Sequence, residues 1–219
     1  MDDLALLARS DLFSAFDGEA LNRLLTGARS LRCERNQIIF DEGDDAGELF
    51  VVCSGRIAIG RRSVDGRESL VALMEMGDLF GEMPLFDSGE RSALARALEP
   101  SEVLRIPYAL VRTELDARPH LLWDVVNLLA QRLRSTDSAL ADAVFLDVTG
   151  RTAKRLLELA GPSDEFVLPI TQEELAGLVG ASRERVNKSI AAFIRLGWIE
   201  QMDRRYRIVA RDRLAQRSR

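Results

Sequence analysis

The chain has one histidine, two cysteines, six prolines and two each of Trp and Tyr among 219 residues, and each scarcity removes a class of protein. With His120 alone, no His-based zinc site, haem-type histidine pair or Ser-His-Asp triad can be assembled within one subunit. A metal-dependent cupin would want several histidines, so neither a metal nor an enzymatic activity is expected. Cys33 and Cys53 lie too far apart for a CxxC clip, and each stands in an apolar, strand-like run. They read as buried reduced thiols. No apolar run is long enough to span a bilayer, and the opening MDDLALLARSDLF carries acids where a signal peptide would carry Lys or Arg. The expected location is the cytoplasm, with no membrane partner.

A composition of 47% hydrophobic and 30% charged residues suits a folded chain of one large or two small domains. Charge is unevenly spread. Residues 1–147 carry 16 Lys and Arg against 26 Asp and Glu, whereas residues 148–219 carry 14 against 9. A basic final third on an acidic protein reads as a module facing a polyanion, or as a solubilising Arg tail over Arg211 to Arg219; charge alone does not separate the two.

Up to about Leu31, leucines and phenylalanines at helical spacing predict short helices, broken at Asp17-Gly18. From Gln37 to Pro107, short apolar runs (QIIF, ELFVVCSGRIAIG, SLVALM, DLFGE, ALARAL, EVLRI) alternate with Gly and Asp breaks, which argues an antiparallel barrel or sandwich. Val64-Asp65-Gly66-Arg67 is a tight-hairpin signal. After Pro119 there is no Gly or Pro through Thr149, and Leu122, Val125, Val126, Leu129, Leu133, Leu140 and Val144 step by three and four. That predicts a long amphipathic helix with more apolar surface than one barrel can cover, hence a dimer seam through Leu122, Val126, Leu129, Leu133 and Leu140. Ser135-Thr136-Asp137 interrupts the stripe with polar groups.

The last segment reads as a helix over Thr152 to Ala160, a Gly-Pro loop, and then two short helices. Thr171 with Glu174 is a capping box, Gly180 ends that helix, and Ser182 caps the next, whose Val186, Ile190 and Phe193 share one face. Arg183, Glu184, Asn187, Lys188 and Ala191 fall on the other. Two helices around a tight turn, the second basic on its free face, make a helix-turn-helix, and Trp198 to Val209 suits a hairpin wing.

Four segments taken together resemble the cyclic AMP receptor protein superfamily (CRP/FNR) of bacterial transcription regulators, over nearly the full chain: the Gly-spaced barrel, FGEMPLFDSGERSALARAL, AVFLDVTGRTAKRLLELA and ITQEELAGLVGASRERVNKSI. The resemblance implies an α+β chain: an N-terminal cyclic-nucleotide-binding β-barrel of jelly-roll type (1–118), a dimerisation helix and hinge (119–147), and a C-terminal winged helix-turn-helix (148–219). It implies cyclic AMP as effector, homodimers, an inverted repeat of TGTGA type in double-stranded DNA, and RNA polymerase as a further partner.

By the same resemblance Arg91 and Ser92 are the phosphate pair, Gly81 and Glu82 the backbone and ribose contacts with Met83 beside them, and Thr136 and Asp137 the readers of the base across the dimer. The chemistry suits a buried cyclic phosphate, since Arg stays charged when desolvated and a carboxylate accepts from a ribose hydroxyl. A simple Arg91–Glu82 ion pair is the alternative. Arg183 is expected to bond a guanine edge, Glu184 a cytosine amine, and Lys188 a further base or phosphate, with Asn187 on the same helix face. Arg185, Thr171, Ser182 and the wing's Arg204 and Arg205 are the expected phosphate contacts.

Two departures stand out. Pro84 has no N–H to give a phosphate. Asp137 replaces a small polar residue, and its carboxylate would favour an adenine amine over a guanine carbonyl. A cyclic dinucleotide effector, or activity without ligand, is the alternative these departures keep open.

Overall fold

In the computed structural model, residues 2–63 and 68–219 are described, so the hairpin signal at Val64–Arg67 lies outside the described residues. The Gly- and Asp-punctuated runs become strands β1 (Arg29–Cys33), β2 (Ile38–Phe40), β3 (Glu48–Ser54), β4 (Ile57–Arg62), β5 (Glu68–Met74), β6 (Leu79–Phe80), β7 (Leu94–Ala97) and β8 (Ser101–Pro107). They pair into two four-stranded sheets, β1-β8-β3-β6 and β2-β7-β4-β5, which form a jelly-roll sandwich rather than a closed barrel.

The period of two along β3 divides its side chains between two cores. Phe50 and Val52 join Phe40, Ile57, Phe80, Ala95, Ala97 and Val103 from both sheets. Leu49 and Val51 face the helices α1 (Asp3–Leu7), α2 (Gly18–Gly27), α4 (Tyr108–Ala117) and the start of α5 (Leu122–Phe145). A short helix, α3 (Met83–Asp87), follows β6.

Asp17, expected as a helix break, is the cap of α2, its carboxylate accepting from Ala20 N–H at 2.8 Å. The expectation of helix up to Leu31 is corrected. Helix α2 ends at Gly27, and Arg29–Cys33 is an edge strand antiparallel to β8. Its residues are mostly exposed, so no apolar alternation announces it. The long helix also stops earlier than a Gly- and Pro-free run suggests. Asp147 accepts from Gly150 N–H at 2.8 Å and starts a new helix, α6 (Val148–Ala160), four residues before the expected Thr152.

The chain divides into two compact units, Met1–Arg67 with Val71–Leu133, and Glu68–Leu70 with Arg134–Arg219. The second contains α6, strand β9 (Glu165–Val167), α7 (Gln172–Val179), α8 (Arg183–Arg195), β10 (Ile199–Met202), β11 (Arg205–Ile208) and α9 (Arg211–Arg217). The wing is a three-stranded sheet, β10-β11-β9, with Tyr206 buried and stacked on Phe166. The Arg-rich end is no loose tail. Leu214 of α9 is fully buried, and the Arg211 guanidinium donates to Asp164 Oδ1 and to the carbonyls of Gly161 and Ser163. Arg217 pairs with Asp147. Among the described residues no helix is long and apolar enough to cross a membrane, and no group of three or more His, Cys, Asp or Glu is placed to hold a metal.

Candidate ligand cradle and DNA interface

Residues 79–92 are held in place by three arginines that each grip a main-chain carbonyl. Arg132 of α5 donates to Leu79 O at 2.6 Å, Arg91 to Gly81 O at 2.7 Å, and Arg112 of α4 to Leu85 O at 2.9 Å. Arg132 and Arg112 belong to helices far along the chain, and no motif in the sequence announces their part. Gly81 has φ +74°, and a Cβ there would lie 2.7 Å from Arg91 Nη1, so only glycine permits both the turn and the approach of the guanidinium.

Arg91 is 5% exposed. Besides Gly81 O, its Nη1 donates to the Tyr108 hydroxyl at 3.0 Å and its Nη2 to Glu48 O at 2.8 Å. The guanidinium carbon lies 4.2 Å from the centre of the Phe40 ring and 5.4 Å from that of Phe50. It forms no ion pair with a carboxylate among the described residues, and its buried Nε has no hydrogen-bond partner there. Burial accordingly pushes the Arg91 pKa down, against the pull of Tyr108 and of the charges of Glu48 and Asp44. A charge held among neutral carbonyls and aromatic faces costs free energy unless an anion completes it. A cavity of about 730 Å³ opens beside it, walled by Leu31, Ile39, Phe40 and Phe50 and edged by Asp44, Asp45, Glu48 and Arg105.

Glu82 is 2% exposed and is not Arg91's partner: Arg132 Nε stands 2.9 Å from its Oε1, which sets aside the Arg91–Glu82 pair. Burial raises the Glu82 pKa while Arg132 opposes it. Ser92 is exposed, its hydroxyl 3.6 Å from the sulfur of the exposed Met83. Pro84 is buried at the start of α3. Of the expected ligand residues, Arg91 alone lines the cavity. Thr136 and Asp137 are exposed on α5, in the second unit's share of that helix.

Helix α5 also carries two apolar stripes. Val125 and Leu128 are buried in the helix-side core, whereas Leu122, Val126, Leu129, Leu133 and Leu140 are exposed, Leu133 by 62%, and so are Val144 and Phe145. At about 1.5 Å per residue this helix is roughly 36 Å long.

In the second unit, the capping box on α7 is complete: Thr171 Oγ1 accepts from Glu174 N–H and Glu174 Oε2 from Thr171 N–H. Gly180, at φ +66°, closes α7 in the left-handed region, and two residues later Ser182 caps α8. Caps use the hydroxyl oxygens of Thr171 and Ser182 as acceptors, which leaves their O–H protons to donate to a phosphate. Val186, Ile190 and Phe193 are buried, and α6 steadies α8 from behind through a Thr149–Ser189 hydroxyl contact at 3.1 Å.

Arg183, Glu184, Arg185, Asn187 and Lys188 are all exposed, with Glu184 and Lys188 paired at 2.8 Å one turn apart. On the wing, the Arg205 side chain makes no hydrogen bond or ion pair among the described residues, but Arg204 donates to Leu168 O at 2.9 Å and so also holds the wing to its unit.

Comparison with known proteins agrees with this geometry. A cyclic nucleotide-binding domain family matches residues 30–118, and a Crp-like helix-turn-helix domain matches residues 150–217. The chain is 37% identical over 226 residues to a CRP-like cAMP-activated global transcriptional regulator of Mycobacterium tuberculosis, covering 100% of both chains. It is 34% identical over 189 residues to the cAMP-activated global transcriptional regulator Vfr of Pseudomonas aeruginosa, covering 82% of this chain and 88% of that one. Among solved structures it is similar to the c-di-GMP responsive global regulator CLP of Xanthomonas campestris, with a TM-score of 0.76 and 27% identity over 88% of this chain and 99% of the other. With a cyclic-nucleotide-binding jelly roll, a long helix and a Crp-like helix-turn-helix in that order, the chain belongs to the CRP/FNR family of cyclic-nucleotide-regulated, DNA-binding transcription regulators.

Proposed function

We propose that the protein is a homodimeric regulator gated by cyclic AMP, which binds at Arg91 and enables α8 to read a TGTGA-type inverted repeat in the major groove. In this reading residues 1–118 form the effector domain, 119–147 the dimerisation helix and hinge, and 148–219 the DNA reader, working in the cytoplasm with RNA polymerase as protein partner. The observation that carries it is the buried guanidinium of Arg91, held by carbonyls and paired with no carboxylate among the described residues, beside a cavity of about 730 Å³. An anion is the group that would complete it. The names of the mycobacterial and pseudomonal relatives support cyclic AMP as that anion. The exposed apolar stripe of α5 supports the dimer, and the exposed face of α8 supports major-groove reading by Arg183, Glu184, Asn187 and Lys188. Thr171, Ser182, Arg185, Arg204 and Arg205 are assigned to phosphates, and Asp137 with Thr136 to the base of the effector.

A second reading keeps the DNA-binding dimer and replaces the effector with a cyclic dinucleotide. It is favoured by the buried Pro84 and by the similarity to a c-di-GMP responsive regulator. Calorimetric titration of the full chain with cyclic AMP, cyclic GMP and c-di-GMP tests both. Saturable binding of cyclic AMP, weaker binding of the others, and tighter specific DNA binding with cyclic AMP present are expected. Saturation by c-di-GMP alone would replace the first reading with the second, and no binding by any would leave a DNA-binding dimer without a nucleotide effector.

A further inference from the structure

Tyr108 opens α4, fixed by its backbone N–H to Gly47 O at 2.9 Å. Its hydroxyl accepts from Arg91 Nη1 at 3.0 Å and donates to Gly81 O, the same carbonyl that receives Nη1 of Arg91 at 2.7 Å. Two donors therefore converge on one neutral acceptor beside a buried cation that pairs with no carboxylate among the described residues. If Tyr108 turns its proton away, Gly81 O remains satisfied by Arg91, so the rotation leaves no orphaned carbonyl. The turn is about the phenolic C–O bond and requires no backbone movement.

Resting on the cyclic-nucleotide reading above, we propose that the Tyr108 hydroxyl is a direct hydrogen-bond donor to the cyclic phosphate, supplying a bond that Pro84 has no N–H to make. A charged phosphate oxygen is a stronger acceptor than a main-chain carbonyl, so an anion seated on the Arg91 guanidinium draws the phenolic proton from Gly81 O. Ser92 does not fill this role in the structure, as it is exposed and turned to the Met83 sulfur. Burial raises the Tyr108 pKa, which keeps the group a protonated donor at neutral pH.

Tyr108→Phe removes one oxygen and keeps the ring that packs on the helix-side core. Calorimetry on the full chain should show about tenfold weaker binding of cyclic AMP, with an unchanged thermal unfolding midpoint without ligand. The two phosphorothioate diastereomers of cyclic AMP identify the mechanism, because each replaces one exocyclic oxygen by sulfur, a poor acceptor. For one diastereomer the loss should shrink to less than about twofold, and for the other it should stay near tenfold.

An unchanged affinity for cyclic AMP overturns the proposal. An equal loss with all three ligands also overturns it, since Tyr108 would then act only by holding Arg91. Failure of the unmodified chain to bind cyclic AMP at all is a different result, which removes the cyclic AMP reading and this inference with it. A second route needs no residue change in the fold: with only two tyrosines in the chain, incorporation of fluorotyrosine makes the phenol a stronger donor and should tighten cyclic AMP binding. Weakened binding would count against the proposal.

Discussion

In the first unit, Arg91 is almost wholly withdrawn from water, its two terminal nitrogens bonded to carbonyls and a phenol and its face against aromatic rings; in the second, Arg183, Arg185 and Arg205 stand in solvent. Under the proposed function the contrast follows from what each site would recognise. A small anion that is to be enclosed needs its cation placed beforehand in a low dielectric, where the attraction is strong and the free protein bears the desolvation cost. A DNA duplex arrives with its own field, so exposed charges suffice; they cost the free protein little and lose strength as salt rises. The first unit contains a second contrast of its own. Glu114, equally buried, is held by Arg23 through two bonds of 2.7 and 3.0 Å and also paired with Arg118, a completed network where Arg91's is incomplete.

The largest effect is expected on the proposed dimer. Leu133→Glu places a charge in the middle of the exposed α5 stripe and should turn the dimer into monomers that lose specific DNA binding, read by sedimentation and by titration on an inverted repeat. An undisturbed dimer would move the seam off α5.

Arg183→Ala should weaken binding to the repeat by about 1–3 kcal/mol per half-site and relax preference at one guanine, while stability stays within about 0.5 kcal/mol because the side chain stands in solvent. Equal weakening on a scrambled duplex would reduce α8 to an electrostatic patch.

Glu114→Gln sharpens the comparison of buried charges. The bond from Arg23, joined by Arg118 and against the opposing effect of burial, holds the Glu114 pKa below its ordinary value. Its stabilisation is therefore present above the ordinary glutamate pKa and is lost as pH falls through the lowered one. The variant should unfold at a lower temperature at neutral pH, and the difference from the parent should close on acidification. A difference that persists in acid would assign the loss to packing.

The smallest effect is on the wing. Arg205→Ala should make the slope of log affinity against log salt shallower by roughly one unit on any duplex, with no change in stability. Arg204→Ala should in addition lower the unfolding midpoint, since its guanidinium donates to Leu168 O.

How much of this was legible in the sequence depended on how local the signal was. The punctuated apolar runs that become strands, the capping box at Thr171 and Glu174, and the buried face Val186, Ile190 and Phe193 were readable because turn chemistry and helical period are properties of neighbours in sequence. Strand β1 escaped because an edge strand with exposed residues has no alternation to show. Strand β9 and helix α9 escaped because three or seven residues are too few for periodicity, although Leu214 anchors α9 at the core. Within the cradle, Arg91 and Glu82 were identified by motif, but their partners were not: Tyr108 and Glu48 for the one, Arg132 for the other. Those pairings join residues 17 to 50 positions apart, and only the fold brings them together.

The proposal that Arg91 is a buried cation that binds the effector's phosphate is tested most directly by the thermal unfolding midpoint of the parent and of Arg91→Leu, each with and without saturating cyclic AMP. Without ligand the variant should be at least as stable as the parent, because an uncompensated buried charge has been replaced by an apolar side chain. With cyclic AMP the parent alone should gain, by the linkage of binding to folding. A variant that is markedly less stable without ligand, or that gains as much as the parent with it, would contradict the account and make Arg91 a structural tie between Gly81 and Glu48.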